Sequence, residues 1–303
     1  MLKEKGTNMS QNTASAPLNL SRRTFVKGAA ITAAAVGVFG LSACSGDDEE
    51  DEGSAEEEEE DTTITVGATA TPHAEILNDV CVALLAEQGY TLEVTEFTDY
   101  VLPNTAVYEG ELDANYFQHI PYLENFNEEN GTDLVSVVAV HFEPFGLYPG
   151  RTSSLDELEE GAIVAVPNDA TNEARALLLL ETAGLLTLDE DAGIDATINA
   201  IIDNPYNLEF EELEAATIAN VVADVDIACI NGNYALAAGF TSEDALLVEA
   251  ADSLAAETYG NVLAVKEGNE DLPKIQALAA ALTSEEVRTY IEETYDGAVV
   301  AVF

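Results

Sequence analysis

The chain has 303 residues, 47% of them hydrophobic, which is enough to bury the core of two domains or of one domain in two lobes. Its 58 acidic residues far outnumber its 10 lysines and arginines and give a formal net charge of −48 at pH 7. Such a polyanion repels phosphate backbones, which argues against nucleic acid as a partner. We interpret the acidic excess as a solvated surface and not as a binding site.

The N-terminal segment has the pattern of an export signal. An apolar run at residues 28–41 follows Arg22, Arg23 and Lys27, and it is too short to span a bilayer as a helix. The paired arginines, with Phe25 two residues on, resemble a twin-arginine signal, a class that generally carries proteins that fold before export. We therefore expect residues 1–43 to be a signal peptide.

Leu41-Ser42-Ala43-Cys44 resembles a lipobox, in which the cysteine thiol becomes lipidated. The alternative is an ordinary cysteine near a simple cleavage site, which fits poorly with the position of Cys44 at the end of the apolar run. We expect Cys44 to be the lipid-anchored first residue of the mature chain. Residues 44–61 are so acidic that like charges prevent packing, which predicts an extended tether on the extracytoplasmic face of the cell membrane.

From residue 62 onward, strand patterns alternate with helix patterns, which predicts an α/β fold. In the first half we predict strands at 64–68, 92–97, 112–117 and 134–142 and a helix at about 72–89. The strand at 134–142 has the continuous apolar character of a buried parallel sheet. Residues 143–150 contain two prolines and two glycines, which indicates a turn or a crossing between lobes.

The same alternation then restarts. We predict strands at 163–166, 208–213, 226–230 and 262–265 and helices at 171–183, 272–282 and 284–294. We interpret these units as two lobes facing each other across a cleft, the first formed by residues 62–148 and 260–303 and the second by residues 149–259. Loops at the strand ends of such a crevice are the usual place for a ligand.

Cysteines and histidines give little sign of reactive chemistry. Cys81 and Cys229 both lie in apolar patterns, so free buried thiols are favoured, although a bridge between them stays open. His73, His119 and His141 form no helix-spaced pair, which argues against a metal site, and we expect no cofactor. An anchored surface enzyme that acts on small amino-acid derivatives, with His119 or His141 as its acid–base group, stays an alternative, although no nucleophile motif supports it.

Arg175 is the strongest candidate for contact with a ligand. It and Arg151 are the only cations of the predicted second lobe, and it follows a strand end at which we expect Thr171 to cap the next helix. Asn172 lies three residues before Arg175 and therefore on the same helix face. A guanidinium can bind a carboxylate through two hydrogen bonds, and Asn172 can add a neutral one. A structural salt bridge to a nearby carboxylate explains Arg175 equally well.

Polar and aromatic residues in both lobes are further candidates. Asn231 follows a predicted strand end and precedes a flexible glycine, so it can contact an ammonium or amide group, although Asn-Gly more commonly marks a plain turn. The rings of Tyr100, Phe117, His119 and Tyr122 suit an apolar or thioether side chain. Core packing is the commoner role for any one of these rings taken alone.

Several stretches of the sequence resemble the NlpA/MetQ family of methionine-binding lipoproteins. They read FTDYVLPN at 97–104, DANYFQH and then PYL within 113–123, and VAVPND, TN, RALLLL and AGL within 164–185. The resemblance runs in order from about residue 63 to the C-terminus.

This resemblance implies a two-lobed periplasmic-binding-protein-like (type II) fold that closes over L-methionine, a close amino acid or a methionine-containing dipeptide. It implies a substrate-binding protein and not an enzyme, with the permease and ATPase of a methionine ABC transporter as partners. In the family pattern the ligand side chain lies among the four rings, and Arg175 with Asn172 holds the carboxylate. Asn231 and Asn261 then lie near the amino group or close the cleft. The twin-arginine-like signal and the acidic tether depart from that pattern.

Overall fold

The computed structural model describes residues 61–250 and 258–303. The predicted signal peptide, Cys44 and the tether up to residue 60 lie outside these residues. In the part that the structure describes, no helix combines the length and the apolar character needed to cross a membrane.

Strands and helices alternate along the chain. The strands are β1 (Thr63–Thr69), β2 (Thr91–Phe97), β3 (Ala114–His119), β4 (Leu134–Phe142), β5 (Gly146–Pro149), β6 (Ile163–Pro167), β7 (Thr187–Leu188), β8 (Ile201–Asp203), β9 (Glu209–Leu213), β10 (Ile227–Ile230), β11 (Leu247–Val248), β12 (Asn261–Lys266) and β13 (Val300–Ala301). The helices are α1 (Val82–Ala86), α2 (Leu102–Glu109), α3 (Ile120–Asn130), α4 (Ala170–Thr182), α5 (Ala215–Val221), α6 (Gly232–Ala237), α7 (Pro273–Leu282) and α8 (Glu285–Tyr295). Short helical turns occupy Ala70–Ala74, Leu77–Cys81, Leu155–Glu157, Gly193–Asp195, Ile198–Ala200 and Val222–Asp224.

The first sheet has six strands in the order β13-β4-β12-β3-β1-β2. Strand β1 runs parallel to β2 and β3, while β12 lies antiparallel between β3 and β4. The prediction of a parallel sheet at residues 134–142 is therefore wrong, since β4 pairs antiparallel with both β12 and β13. An apolar run indicates that a strand is buried, and it carries no information on strand direction.

The second sheet has five strands in the order β11-β5-β10-β6-β9. Strand β6 is parallel to β9 and β10, and β5 is antiparallel to β10 and β11. The turn expected at 143–150 is only partly right, because residues 143–145 connect the two sheets but Gly146–Pro149 form β5. The glycine and proline signals mark the two ends of this short strand.

Each sheet is the centre of a lobe with its own core. In the first lobe, built around β1–β4, β12 and β13, Ile64 packs in one cluster with Leu278 of α7. In the second lobe, built around β5, β6 and β9–β11, Val164 packs in one cluster with Leu177 and Leu180. These two leucines are three residues apart and so lie on the same face of α4. The two-lobed α/β architecture is thus confirmed, while the exact lobe boundaries stay a prediction.

The two cysteines lie one in each core. Cys81 belongs to the first cluster and Cys229 to the second, and both are buried free thiols. The bridge that the sequence left open is therefore not formed. Burial raises the pKa of the Cys81 thiol to about 12, which keeps it protonated and unreactive at neutral pH.

Candidate functional site

The predicted site residues converge on one cavity between the two lobes, together with four further residues. The eight predicted residues that line it are Tyr100, Phe117, His119, Tyr122, Asn172, Arg175, Asn231 and Asn261. The four others are Gln118, Glu143, Gly232 and Asn233. Aromatic and polar groups from both lobes thus meet at one place, which is typical of a small-molecule site.

Strand and helix ends bring these residues together. Phe117 and His119 lie at the end of β3, Asn231 directly follows β10, and Asn261 begins β12. Asn172 and Arg175 come from the first half of α4, and Asn233 comes from the start of α6. Side chains at such ends are free of the sheet core and can face the cleft between lobes.

Side-chain contacts across the cleft hold the lobes close together. The Tyr100 hydroxyl donates to Asn233 Oδ1 at 2.6 Å, and the Tyr100 and Tyr234 rings stack with centroids 5.0 Å apart. The Tyr234 hydroxyl donates to the Thr98 carbonyl oxygen at 3.2 Å. The cavity that remains measures about 20 Å³, which is space for one water molecule. An amino acid can therefore enter only if the lobes separate.

Helix α4 is capped by Asp169 and not by Thr171, so that part of the prediction is wrong. Asp169 Oδ1 accepts hydrogen bonds from the Asn172 main-chain nitrogen at 3.0 Å and from Asn172 Nδ2 at 2.8 Å. The Thr171 hydroxyl donates to the same oxygen at 3.1 Å. Asp169 has the extended backbone of a cap residue and a short acceptor side chain, which suits it to this position. This cap fixes the side chain of Asn172 and leaves Asn172 Oδ1 free to accept hydrogen bonds from other donors.

The guanidinium of Arg175 borders the cavity and is already paired with a carboxylate. Its Nε donates to Glu249 Oε1 at 2.9 Å and its Nη2 to Glu249 Oε2 at 2.5 Å. Nη2 also donates to the Glu143 main-chain oxygen at 2.9 Å, and the Tyr259 ring centroid lies 4.4 Å from the guanidinium carbon. The sequence left a ligand contact and a structural salt bridge open, and the structure shows that a salt bridge is formed.

An amide network beside Arg175 contains an acceptor that has no donor. Asn172 Oδ1 accepts from Asn231 Nδ2 at 2.8 Å and lies 3.3 Å from His119 Nε2. Asn231 Oδ1 is buried and makes no hydrogen bond within the described part of the chain. An unsatisfied buried acceptor costs about 1–3 kcal/mol. This oxygen is therefore well suited to a donor group supplied by a ligand.

His119 is a neutral hydrogen-bonding side chain. Its Nδ1 accepts from the Tyr122 main-chain nitrogen at 3.1 Å and so caps α3. Burial, and then the charge of Arg175, lowers the pKa of His119 to about 3. The imidazole is therefore uncharged at neutral pH.

Three rings form an apolar wall of the cavity. The Tyr100 ring centroid is 5.6 Å from that of Phe117 and 5.7 Å from that of Tyr122. Phe117 and Tyr122 are also members of a buried core cluster, with centroids 6.1 Å apart. The rings thus pack in the core and also line the cavity, while their contact with a ligand side chain stays a prediction.

A buried cluster of His73, His141 and Glu143 adjoins the cavity. Glu143 Oε1 lies 2.7 Å from His141 Nε2 and 3.4 Å from His73 Nε2. The three possible ligand atoms lie within 4.8 Å of one another, a spacing that could hold a metal ion. Burial lowers the pKa of His73 to about 4 and that of His141 to about 3, and it raises the pKa of Glu143. Sequence spacing did not reveal this cluster, because His73 comes from the segment after β1, far along the chain from His141 and Glu143.

Four polar residues of the site, Gln118 among them, were not among the predicted contact residues. Asn233 lies two residues after Asn231, so the same Asn-Gly-Asn pattern could have indicated it. Glu143 directly follows the apolar strand β4, and a charged residue in that position is a usable signal. Glu249 directly follows β11, which has only two residues and no recognisable pattern.

Comparisons with known proteins agree with this architecture. A family model described as NlpA lipoprotein matches residues 64–303. The chain belongs to the NlpA lipoprotein family. One NlpA-type relative is the methionine-binding lipoprotein MetQ of Bacillus subtilis, which is 44% identical over 245 residues, covering 79% of this chain and 88% of that protein.

Solved structures extend the NlpA comparison to the fold. A Ruminococcus gnavus lipoprotein structure has a TM-score of 0.79 and 58% identity, covering 80% of this chain and 100% of that one. A Burkholderia cenocepacia nutrient-binding protein, solved bound to methionine, has a TM-score of 0.75 and 41% identity, covering 79% of this chain and 100% of that one. These likenesses confirm the NlpA/MetQ resemblance and the type II two-lobed fold.

Proposed function

We propose that this NlpA-family chain is an extracytoplasmic substrate-binding protein that captures methionine, or a close amino acid or methionine-containing dipeptide, for uptake by an ABC transporter. The observation that carries the proposal is the convergence of aromatic, amide and guanidinium groups from both lobes on one cavity. The relatives named for methionine binding, and the one solved with methionine, support the same ligand class. In this proposal the protein binds and releases its ligand without converting it.

The cavity wall offers a complementary surface to each part of methionine. We assign the thioether chain to the rings of Tyr100, Phe117 and Tyr122, with His119 beside them. The hydrogen bonds of Arg175 described above use Nε and both N–H groups of Nη2, so we assign the ligand carboxylate to Nη1.

The amide groups complete the contacts of this proposed ligand. We assign a neutral contact with the carboxylate to the second N–H of Asn172 Nδ2, and we place Asn231 and Asn261 near the amino group. The unsatisfied Asn231 Oδ1 supports this orientation, because an ammonium group supplies the missing donor.

Capture requires an opening and closing of the two lobes. The present cavity of about 20 Å³ is smaller than methionine, so the lobes have to part for the ligand to enter. Closure then removes water, and the lower local dielectric strengthens the interaction of Arg175 with a carboxylate.

Cys44, the permease and the ATPase complete the proposal. A lipid on Cys44 and the acidic tether hold the receptor at the extracytoplasmic face of the membrane, where the closed lobes meet the transporter. Replacing Cys44 by Ser is expected to release the protein from the membrane fraction. Retention of that variant in membranes contradicts the assigned anchor.

Titration calorimetry with L-methionine and D-methionine tests the proposed function. We expect Arg175→Ala to weaken binding by about 2–5 kcal/mol, the range for removing one partner of a desolvated charge contact. Arg151→Ala is the matched control, because its guanidinium is paired with Asp226 away from the cavity and its side chain is 49% exposed. Absence of methionine binding to the wild type, with no amino acid released on denaturation, contradicts the proposal. Unchanged affinity in Arg175→Ala contradicts the carboxylate assignment alone.

A further inference from the structure

The carboxyl group of Glu143 is buried in the wall of the cavity. The residue is 5% exposed and borders the cavity beside Gly232. A Cβ added to Gly232 would lie 2.6 Å from Glu143 Cβ and 3.1 Å from Glu143 Oε2, so a larger residue there would displace the carboxylate. A carboxylate in such a place needs both hydrogen bonds and a counter-charge.

Two imidazoles lie against one oxygen of Glu143, His141 with a hydrogen bond of 2.7 Å and His73 with its Nε2 at 3.4 Å. On the far side of each ring, Nδ1 faces a hydroxyl. His141 Nδ1 faces the Tyr116 hydroxyl, and His73 Nδ1 lies 2.7 Å from the Thr69 hydroxyl. A hydroxyl can donate to Nδ1, and each ring then carries its proton on Nε2. We assign the protons in this way, because His141 Nε2 then donates to Glu143 Oε1 and His73 Nε2 has an N–H for a neighbouring acceptor.

The neighbouring amide fits the same proton assignment. Asn261 Oδ1 lies 3.0 Å from His73 Nε2 and accepts from it. Hydrogen bonds from His141 Nε2 and from the Asn233 main-chain nitrogen favour the charged form of Glu143 and orient its carboxylate. Burial raises the pKa of Glu143, and a cationic group in the cavity offsets that effect.

Arg175 makes no direct contact with the Glu143 carboxylate, although its charge lowers the pKa of Glu143. Its guanidinium bonds both oxygens of Glu249 and reaches Glu143 only through the main-chain oxygen. Within residues 61–250 and 258–303, the ion-pair contacts of the Glu143 carboxylate are those to the two histidines, which are neutral at pH 7. In the described part of the chain, the cavity wall therefore has one arginine paired directly with a carboxylate, and one carboxylate, Glu143, whose direct ion-pair partners are neutral histidines.

We propose that Glu143, oriented by His73 and His141, is the counter-charge for the ammonium group of the ligand, and that this group selects the ligand more strongly than the carboxylate does. The proposal rests on the proposed capture of an amino acid. His73 and His141 are positioning residues in it. An ammonium group has three N–H donors, and the unsatisfied Asn231 Oδ1 lines the same cavity as Glu143.

The donor pattern favours this role over that of a metal site. A metal ion would need both Nε2 atoms unprotonated, and the hydroxyls of Thr69 and Tyr116 would then have to accept from Nδ1. The 2.7 Å between His141 Nε2 and Glu143 Oε1 is a direct hydrogen-bond distance. Binding of zinc therefore becomes an outcome that can overturn the proposal.

Ligand analogues on the wild-type mature chain provide the first test. Calorimetry compares L-methionine with 4-(methylthio)butanoate, which lacks the amino group, and with L-methioninol, in which a hydroxymethyl group replaces the carboxylate. We expect loss of the ammonium group to weaken binding at least about 30-fold, and by more than loss of the carboxylate does. The reverse order overturns the proposal, whereas no binding of methionine at all contradicts the proposed function instead.

A pair of carboxylate variants provides the second test. In Glu143→Gln we expect the preference for methionine over 4-(methylthio)butanoate to fall at least about 10-fold, because a neutral amide cannot balance an ammonium charge. Glu173→Gln is the matched control, since Glu173 is also buried, at 6% exposed, but bonds the Ile198 main-chain nitrogen outside the cavity lining. An unchanged preference in Glu143→Gln overturns the proposal.

Two substitutions of one histidine test positioning. His141→Gln keeps an N–H donor near the Nε2 position and is expected to keep most of the preference for the amino group, whereas His141→Phe keeps a ring without a donor and is expected to lose it. Equal preference in both variants overturns the positioning role, and so does one zinc ion bound per wild-type chain and lost in His141→Phe. If His141→Phe does not fold, the analogue series and Glu143→Gln still decide.

Discussion

Two arginines of the second lobe form ion pairs of similar geometry but differ in burial, and burial changes how strongly each ion pair contributes to stability. Arg151 places Nε and Nη2 against the two oxygens of Asp226 at 3.1 and 2.8 Å. Arg175 places the same atoms against the two oxygens of Glu249 at 2.9 and 2.5 Å. The geometries are alike, but the side chain of Arg151 is 49% exposed and that of Arg175 is 5% exposed.

Because of this difference in exposure, we expect the Arg151 pair to be a weak surface contact and the Arg175 pair to interact strongly. Water screens the Arg151–Asp226 pair, and such pairs contribute about 0–1 kcal/mol to stability. The Arg175–Glu249 pair lies in a low-dielectric wall, where loss of one partner leaves the other buried without a counter-charge. Of the two, only the buried Arg175 can therefore bind a ligand carboxylate strongly. Its pairing with Glu249 also reduces the positive charge that it can offer to a ligand.

Removal of the buried guanidinium is expected to have the largest effect on stability. Arg175→Ala should lower the free energy of unfolding by about 3–5 kcal/mol, because Glu249 is then left without its counter-charge. Urea unfolding without ligand measures this change. A loss below about 1 kcal/mol, as for an exposed pair, would remove the contrast between the two arginines.

A double-mutant cycle sharpens the same contrast. Combining Arg175→Ala with Glu249→Ala removes both charges, so the double variant should lose less stability than the sum of the single variants, by about 1–3 kcal/mol. The parallel cycle on Arg151 and Asp226 is the control and should give a coupling energy below about 1 kcal/mol. Equal coupling energies in the two cycles contradict an effect of burial.

The partner of Arg175 could not be predicted from sequence, although its own location could. The helix register and the strand end before α4 are local signals, and they placed Arg175 at the cleft. Its partner Glu249 lies 74 residues away and follows a two-residue strand, so no local pattern indicates it. Local patterns report which residues face a cleft, whereas long-range pairing depends on the folded chain.

The same limit applies to the fold and to the histidine cluster. The apolar run of β4 correctly predicted a strand at 134–142, because a run of apolar residues indicates a buried strand. Its antiparallel pairing with β12 could not be predicted, because β12 begins at Asn261, far along the chain, and no local pattern indicates which strands pair. His73 likewise meets Glu143 only through the sheet, because it follows β1, whereas His141 lies two residues before Glu143 in the chain.

The pH dependence of stability extends the comparison to His119 beside Arg175. Burial, followed by the charge of Arg175, lowers the pKa of His119 from 6.5 to about 3, so the folded state binds this proton less readily than the unfolded state. Its stabilising contribution is therefore present above pH 6.5 and is lost as the pH falls towards 3. The stability difference between the wild type and His119→Asn should fall by about 1.4 kcal/mol per pH unit below the unfolded-state pKa. Urea unfolding at pH 7, 6 and 5 measures it, and a difference that is constant across this series contradicts a buried neutral imidazole.

The smallest effect is expected at the exposed arginine. Arg151→Ala should lower the free energy of unfolding by less than about 1 kcal/mol, because water already screens the charge. Asp226 also keeps its hydrogen bond from the Ile163 main-chain nitrogen at 2.8 Å, so the variant leaves no buried oxygen without a donor. Raising the salt concentration should shrink this difference further while leaving the effect of Arg175→Ala nearly unchanged, since salt screens exposed charges far more than buried ones. Unfolding curves of both variants at low and high salt measure the two responses, and equal sensitivity to salt would mean that exposure does not separate the two arginines.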